Sequence, residues 1–491
     1  MKKRWLYIIP AMLVIVIAFT ACRRSTRNAT ESEYEPVYVS TPDVQADTPA
    51  LYYQPPPTAP AVPTAPGNLP GFRGLRGASY SFITDFNFGE SAFPAVHITT
   101  EHYAIDRYTR IPGSISISNV AEEFQLAETP MRIRGRGTSS WKLDKAPFRI
   151  RFNEPIAMLD AGHAATDWTF IANHSDKSLL RNYSAYYMAS LLGGMSYAPF
   201  ARFVDVYFNG EYQGVYMLSV QLNEVREGRI DLTFDENPAL SEYLIELNRR
   251  IHYDPANIEG LHFLRMHGHN RYYSIRWPTP ERPHDNALTA AHTAYLRDFL
   301  NNIDHLIYTR NPQVFNYICK DSFVDFYLVQ ELFKNYDISS LSVWMQLRGQ
   351  GSERRLEKGP VWDFDISAGN CYYQDRNNHR GRYGPSGIWA GYMNRWFRYL
   401  IQMPEFRDHV SIRLRYVNEY VLPQTIARIN HMATEYQASF ERNFERWPIM
   451  GVYVWPNPQS VVEIDTFMGQ VEYLTNFLQT RAAWLSAYFR V

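Results

Sequence analysis

The chain has 491 residues, 45% of them hydrophobic and 15% aromatic, and 49 Lys and Arg against 50 Asp and Glu leave a formal net charge of −1. That balance gives no electrostatic case for nucleic acid or another polyanionic partner. With three cysteines in all, a disulfide framework is disfavoured and a structural zinc site nearly excluded.

In chain order, Lys2, Lys3 and Arg4 form a basic n-region before an apolar run from Trp5 to Phe19, shorter than a spanning helix needs. Thr20-Ala21-Cys22 then resembles a bacterial lipobox, with residues 1–21 as signal peptide, cleavage before Cys22 and acylation of its thiol. Phe19 departs from the usual Leu, so plain signal-peptidase cleavage or an uncleaved anchor stays open; each alternative exports the chain. Residues 22–71 contain ten of the 30 prolines, including Pro55-Pro56-Pro57, and almost no apolar periodicity. Such a segment reads as an extended tether. The remaining 420 or so residues exceed one ordinary core, which favours a unit built of two lobes.

Short alternating runs predict strands at 95–99, 114–118, 131–134 and 148–152. Asn209-Gly210 between 203–208 and 214–218 predicts a tight hairpin. A helix is expected from Ser178 to Leu192, closed by Gly193-Gly194, and further strands at 243–247 and 272–277. From Thr289 on, the pattern turns helical at 289–308, 322–335, 404–421 and over most of 423–491. Cys319, in an apolar setting, reads as a small core residue. The layout is α+β, sheet-rich first and helix-rich second.

The junction holds the most telling residues. Asp321-Ser322 is expected to cap a helix that ends near Asn335, leaving Asp337 just beyond it. Strands predicted at 341–347 and from Leu356 to Val361-Trp362, with a polar turn around Gly351, run out and back over similar lengths. Asp363 is thereby returned beside Asp337, with Asp365 two residues on. Two readings stand for these carboxylates: loop caps, or hard oxygen ligands for Mg²⁺ or Mn²⁺ and, with it, a nucleotide's phosphates.

A second constellation is Arg134-Gly-Arg-Gly-Thr-Ser-Ser-Trp141 followed by Lys145. A glycine turn presents backbone N–H groups to phosphates, and a lysine adds a point charge. Arg132, Arg134, Arg149 and Arg151 equally fit a solvated sheet face. A third cluster runs from Trp168 to Asp176 and on to Arg181-Asn182, where His174 reads as a loop histidine rather than a ligand. No Gly-X-Ser-X-Gly, His-Glu-X-X-His or Walker pattern occurs, which counts against those hydrolase and NTPase classes.

In this order the segments resemble the CotH family, the spore coat protein H type of atypical protein kinases. The matching pieces are Ile133-Arg-Gly-Arg-Gly137 with Ser140-Trp141, Lys145-Ala-Pro-Phe-Arg149, Trp168 to Asn173 with Asp176, and Arg181-Asn182. They continue through Val206 to Tyr216, Tyr243-Leu-Ile-Glu246, Glu331-Leu332, Asn335-Tyr-Asp337 and Gly359-Pro-Val-Trp-Asp-Phe-Asp365. The resemblance implies a divergent protein-kinase-like two-lobed fold, with a sheet-rich N-terminal lobe over a helix-rich C-terminal lobe and ATP between them. The resemblance covers about residues 90 to 400; the domains expected are an N-terminal β-rich segment at 72–130 and a CotH kinase-like domain at 131–491, with core motifs to about 400 and a helical part at 401–491.

By position, Asp337 matches the aspartate that accepts the substrate hydroxyl's proton. Asp363, with Asp365, matches the metal-binding place, Lys145 the family's lysine, and Gly135, Gly137 and Ser139 the loop over the phosphates. Thr138 stands where the family often has Asn, Ala146 where it has a second Lys, and Val220 where an acid is frequent. The activity implied is an exported, membrane-tethered kinase that moves the ATP γ-phosphoryl group to Ser or Thr of secreted or envelope proteins, with Mg²⁺ or Mn²⁺. Its rivals are a catalytically inactive surface or structural binding lipoprotein on the same fold, and a two-carboxylate glycosidase, which needs neither glycine loop nor lysine.

Overall fold

The alternating runs close into a barrel. In the computed structural model, which describes residues 92–101, 105–222, 230–254, 256–268, 271–278, 288–372 and 384–491, seven strands wind around one apolar filling. They are β1 (Ala95–Thr100), β2 (Ile111–Ser118), β3 (Leu126–Gly135), β4 (Phe148–Ile156), β5 (Ala165–Ile171), β6 (Arg202–Phe208) and β7 (Glu211–Val220). The order is β1-β2-β3-β4-β5-β7-β6, closed by a parallel β1–β6 pairing. Val96, Ile98, Ile115, Ile117, Ile133, Ile150, Trp168 and Phe170 fill the interior, and the residues between them face outward. Closure through β1 and β2 makes 95–130 part of the same barrel as the strands that follow. Asn209 (φ 49°) and Gly210 (φ 83°) form the two-residue turn of the β6–β7 hairpin.

A second, antiparallel sheet follows, from β8 (Tyr243–Leu247), β9 (Phe263–Arg265), β10 (Tyr272–Trp277), β11 (Val343–Arg348) and β12 (Arg355–Lys358), in the order β12-β11-β8-β10-β9. Its last hairpin is shorter than expected at both ends. β11 begins at Val343 because Ser342 takes the left-handed φ of 53°. β12 stops at Lys358, not Trp362, because Gly359 turns to φ 108° and Pro360 has no N–H for the ladder.

Helices make up most of the rest: α1 (Arg181–Leu192), α2 (Ala290–Tyr308), α3 (Lys320–Phe333), α4 (Pro404–Tyr416), α5 (Leu422–Glu435), α6 (Gln437–Arg446) and α7 (Phe467–Phe489). α1 starts three residues later than expected, since Asp176 and Ser178 build a hydrogen-bonded turn ahead of it, and it ends on left-handed Gly193. The expected cap by Asp321-Ser322 is also displaced. α3 begins at Lys320 after Cys319, and the Ser322 hydroxyl donates to the Cys319 carbonyl at 2.9 Å. Cys319 is half-buried rather than a core residue.

α3 is the axis of the helical part. Every side chain from Ser322 to Phe333 is buried, so polar members must be matched within the protein. Asp325 takes Arg413 of α4 at 2.7 Å, and Glu331 takes Arg481 of α7 at 2.5 Å. Glu331 also accepts from the Gly391 and Trp389 amides. The late helices are thereby tied to the helix whose end leads to Asp337. Among the described residues no helix is long and apolar enough to cross a membrane. The signal segment, Cys22 and the proline-rich stretch lie outside the described residues.

Candidate active site

α3 ends abruptly because Lys334 adopts the left-handed conformation (φ 47°). Asn335 follows, and its Oδ1 accepts from the Asp337 N–H at 3.2 Å, capping a short turn from Tyr336 to Ser339. The Nδ2 of the same side chain donates to the Asp363 carbonyl at 3.1 Å. The two loops, separated by the β11–β12 hairpin, are thus clamped by one amide. The out-and-back path expected from the sequence is present: Met345 pairs with Lys358, and the Gly359 N–H reaches the Trp344 carbonyl at 3.0 Å.

Trp362 to Asp365 is an irregular loop built around its middle. Phe364 is fully buried and meets Phe333 edge-on at 5.5 Å. Its N–H donates to Asn182 Oδ1 at 2.6 Å, and Asn182 in turn donates to Asn173 Oδ1 at 2.9 Å. Asp363, at φ 68°, holds a conformation uncommon for a residue with a Cβ, and Ser342 Oγ donates to its Oδ2 at 3.1 Å. Asn370 Nδ2 bonds the Asp365 carbonyl at 2.7 Å, and Arg181, paired with Asp176 at 2.5 Å, holds the Ser367 carbonyl at 3.0 Å. With Phe364 driven into the core, Asp363 and Asp365 are left half-buried on either side of it.

The three carboxylates act on one another. Burial and the charge of Asp363 push Asp337 up to about 7, against the pull of Arg250 and Arg249. Burial and the charges of Asp363, Asp337 and Asp176 hold Asp365 well above the usual carboxylate range. A cation placed between them would relieve that repulsion. Among the described residues no three His, Cys, Asp or Glu side chains form a metal cage by themselves. Mg²⁺ commonly takes only one or two protein carboxylates, with waters and phosphate oxygens completing its shell. The hard oxygens of Asp363 and Asp365 fit that donor set.

The glycine turn meets this site through Arg136. Arg136 lies over the Trp362 ring at 5.8 Å, its charge acts with those of Asp363 and Asp365, and burial lowers its guanidinium's affinity for its proton. The turn itself is stiffened by packing. A Cβ on Gly135 would sit 2.2 Å from the Trp141 ring, and one on Gly137 (φ 79°) 2.1 Å from Ser140 Oγ. The Gly135 and Arg136 N–H groups donate to the Asp106 and Pro147 carbonyls. Ser139 is half-buried, and its carbonyl accepts from Lys142.

Lys145 is held by groups outside the aspartate loops. It is 1% exposed, donates to Asn443 Oδ1 of α6 at 2.7 Å and to the Val215 carbonyl, and packs its ammonium over the Tyr216 ring at 4.7 Å. Burial depresses its proton affinity, and the charge opposing that is Asp205's. An acidic companion therefore comes from β6. Val220 faces Trp168 inside the barrel, where a carboxylate would be buried among apolar groups. His174 is a buried loop residue edge-on to Trp447 at 5.8 Å, with burial lowering it to about 4. Arg136, Asn335, Ser342 and the Arg249-Arg250 pair are the site residues that sequence reasoning missed. Arg136 and Asn335 lay inside motifs already singled out.

The model of the CotH kinase protein family matches residues 132–485, more than half the chain. A search of curated proteins finds no match.

Proposed function

The chain belongs to the CotH kinase protein family, and on that premise we propose that it is a protein kinase with a divergent two-lobed kinase-like fold, transferring the γ-phosphoryl group of ATP to Ser or Thr hydroxyls. The observation that carries this reading is the mutual action of Asp337, Asp363 and Asp365 across the hairpin that brings them together. The acceptor oxygen attacks the γ-phosphorus, the bond to the bridging oxygen of ADP breaks with its electron pair, and the hydroxyl proton passes to the Asp337 carboxylate. Asp363 and Asp365 would hold Mg²⁺ or Mn²⁺, which when bound neutralises charge on the phosphates. Gly135 to Ser139, carrying Arg136, would cover the phosphates. Lys145 would set the turn's position through α6 and β7 rather than by touching the nucleotide.

Incubating the purified chain with labelled ATP and either metal, beside Asp337→Ala and Asp363→Ala, tests the assignment. Label transferred by the parent and lost in both variants is the expected result. A parent that neither binds nucleotide nor transfers label sinks it. A second reading, a catalytically inactive binding lipoprotein on the same fold, draws support from the complete burial of Lys145. ATP binding by the parent counts against it.

The basic n-region, the apolar run and Cys22 support export and lipid anchoring at the cell envelope, with secreted or envelope proteins as acceptors. Replacing Cys22 with Ser should move the protein from the membrane to the soluble fraction. Unchanged partitioning removes the lipid anchor.

A further inference from the structure

The outer face of β3, β4 and β5 is charged out of balance. Arg132 stands directly opposite Arg151, and Arg134 opposite Arg149, on neighbouring strands. Like charges in such pairs repel. Arg110 reaches over the same face, and one carboxylate, Asp167, serves three of these guanidiniums: Arg110 at 3.0 Å, Arg149 at 2.9 Å and Arg151. Asp167 is fully buried, yet Arg149 and Arg151 outweigh that burial and hold it well below the usual carboxylate range. Its negative charge is therefore fully committed. Burial pushes Arg110 down to about 10, and repulsion from Arg149, Arg151 and Arg134 adds to the effect against Asp167's pull. The Nη1 of Arg110 is buried with no hydrogen-bond partner among the described residues. A guanidinium seldom gives up a donor in this way without cause.

These groups are not sealed in. The side chains of Arg110, Arg149 and Arg151 are 17%, 13% and 38% exposed. A chain whose net charge is −1 thus gathers three guanidiniums on one carboxylate at an accessible sheet face, with the charge of a fourth, Arg134, acting on Arg110 beside them. Planar forks of this kind bind tetrahedral phosphate oxygens in pairs. The cluster adjoins the aspartate site without entering it. The charge of Arg149 acts on Arg136, which faces Asp363 and Asp365. None of the charges acting most strongly on Asp337 or Asp365 comes from this group.

We propose that the arginine cluster around Asp167 is a phosphate-binding site that receives a phosphoserine or phosphothreonine already present on the acceptor segment. Acceptors phosphorylated once are then held for a further transfer nearby. The binding stands on this face alone, whereas its role in choosing acceptors rests on the phosphotransferase reading.

The test is fluorescence anisotropy of the full chain with a labelled Gly/Ala peptide carrying one phosphoserine, at fixed ionic strength, beside its unphosphorylated twin. Binding of the phosphorylated peptide alone, reversed by inorganic phosphate and weakened at least tenfold in the Arg110→Gln/Arg151→Gln double variant, is expected. Lys320→Gln, on the exposed pair with Glu405, should leave it unchanged. Thermal melts report whether the double variant folds. If it does not, Arg151→Lys alone is read, and loss of its paired contact should weaken binding severalfold. Equal binding of the two peptides, or undiminished binding by the folded variant, overturns the site. Competitive displacement by MgATP assigns the cluster to the nucleotide's own phosphates and overturns the acceptor assignment. Phosphopeptide binding in a protein that binds no ATP supports the site and removes only the kinase reading.

Discussion

Asn335 holds Asp363 by its backbone: Nδ2 donates to the Asp363 carbonyl at 3.1 Å while Oδ1 caps the Asp337 N–H at 3.2 Å. One side chain therefore sets the spacing of the two aspartates proposed as base and metal ligand. Asn335 is 1% exposed, so each bond is made where water does not compete well. Asn335→Ala should destabilise the protein by about 1–3 kcal/mol and lower phosphotransfer at least tenfold. Asn335→Asp keeps the acceptor for Asp337 and loses the donor to Asp363, and adds a fourth carboxylate to a crowded site. Its rate should fall further than its stability. Urea titrations and initial rates on both variants check this; wild-type rates in Asn335→Ala would remove the clamp.

Gly135 is explained by Trp141, not by a ligand. A methyl group there would lie 2.2 Å from the ring, closer than any packing tolerates. Gly135→Ala should cost about 1–3 kcal/mol, and in a Trp141→Ala background most of that cost should vanish. The double-mutant cycle would then show coupling above about 1 kcal/mol. Additive effects would mean that the glycine is needed for another reason.

The sequence marked Asp337, Asp363 and the hairpin between them because each signal was local: a helix end, two strands of similar length, and a polar turn. What it could not show depended on distant partners. Nothing near Lys145 in sequence announces Asn443, 298 residues away, which takes its ammonium. Arg481 is likewise one arginine in a long helix until Glu331, 150 residues earlier, needs a counter-ion. Arg136 sits between the two glycines of the turn, and nothing local in the sequence distinguishes it from Arg132 or Arg134 until Trp362, Asp363 and Asp365 are brought to it. Strand ends at Val343 and Lys358 were missed because left-handed Ser342 has no sequence signature, whereas Gly359-Pro360 did carry one.

Lys145 gives a discriminating experiment. It bridges β7 and α6 through the Val215 carbonyl and Asn443, so its loss should be felt with no nucleotide present. Lys145→Met should lower the stability of the ligand-free protein by about 1–3 kcal/mol. Asn443→Ala should do the same, because Asn443 also accepts from the Val215 N–H at 3.1 Å. Combined, the two should cost less than their sum. If Lys145→Met leaves ligand-free stability untouched and abolishes only nucleotide-dependent stabilisation, Lys145 is a phosphate contact after all.

Lys358 makes stability depend on pH in an unusual direction. Its side chain is 2% exposed, with the amine 4.7 Å from the Trp396 ring centre and 5.4 Å from that of Phe323. Burial lowers it to about 7, so the folded protein gives up this proton far more readily than the unfolded chain, whose lysine keeps its ordinary value near 10.4. Below pH 7 both states are protonated and the cost of the buried ammonium is fully present. Between pH 7 and about 10 the unfolded state binds more protons, and stability should climb with pH, by at most about 1.4 kcal/mol per unit. Lys358→Met keeps the aromatic packing without the charge. It should exceed the parent's stability by a few kcal/mol at pH 6, and the difference should shrink or reverse by pH 9.5. Urea denaturation of both proteins at the two pH values decides it: parallel stability curves would mean that Lys358 is not titrating in the folded state.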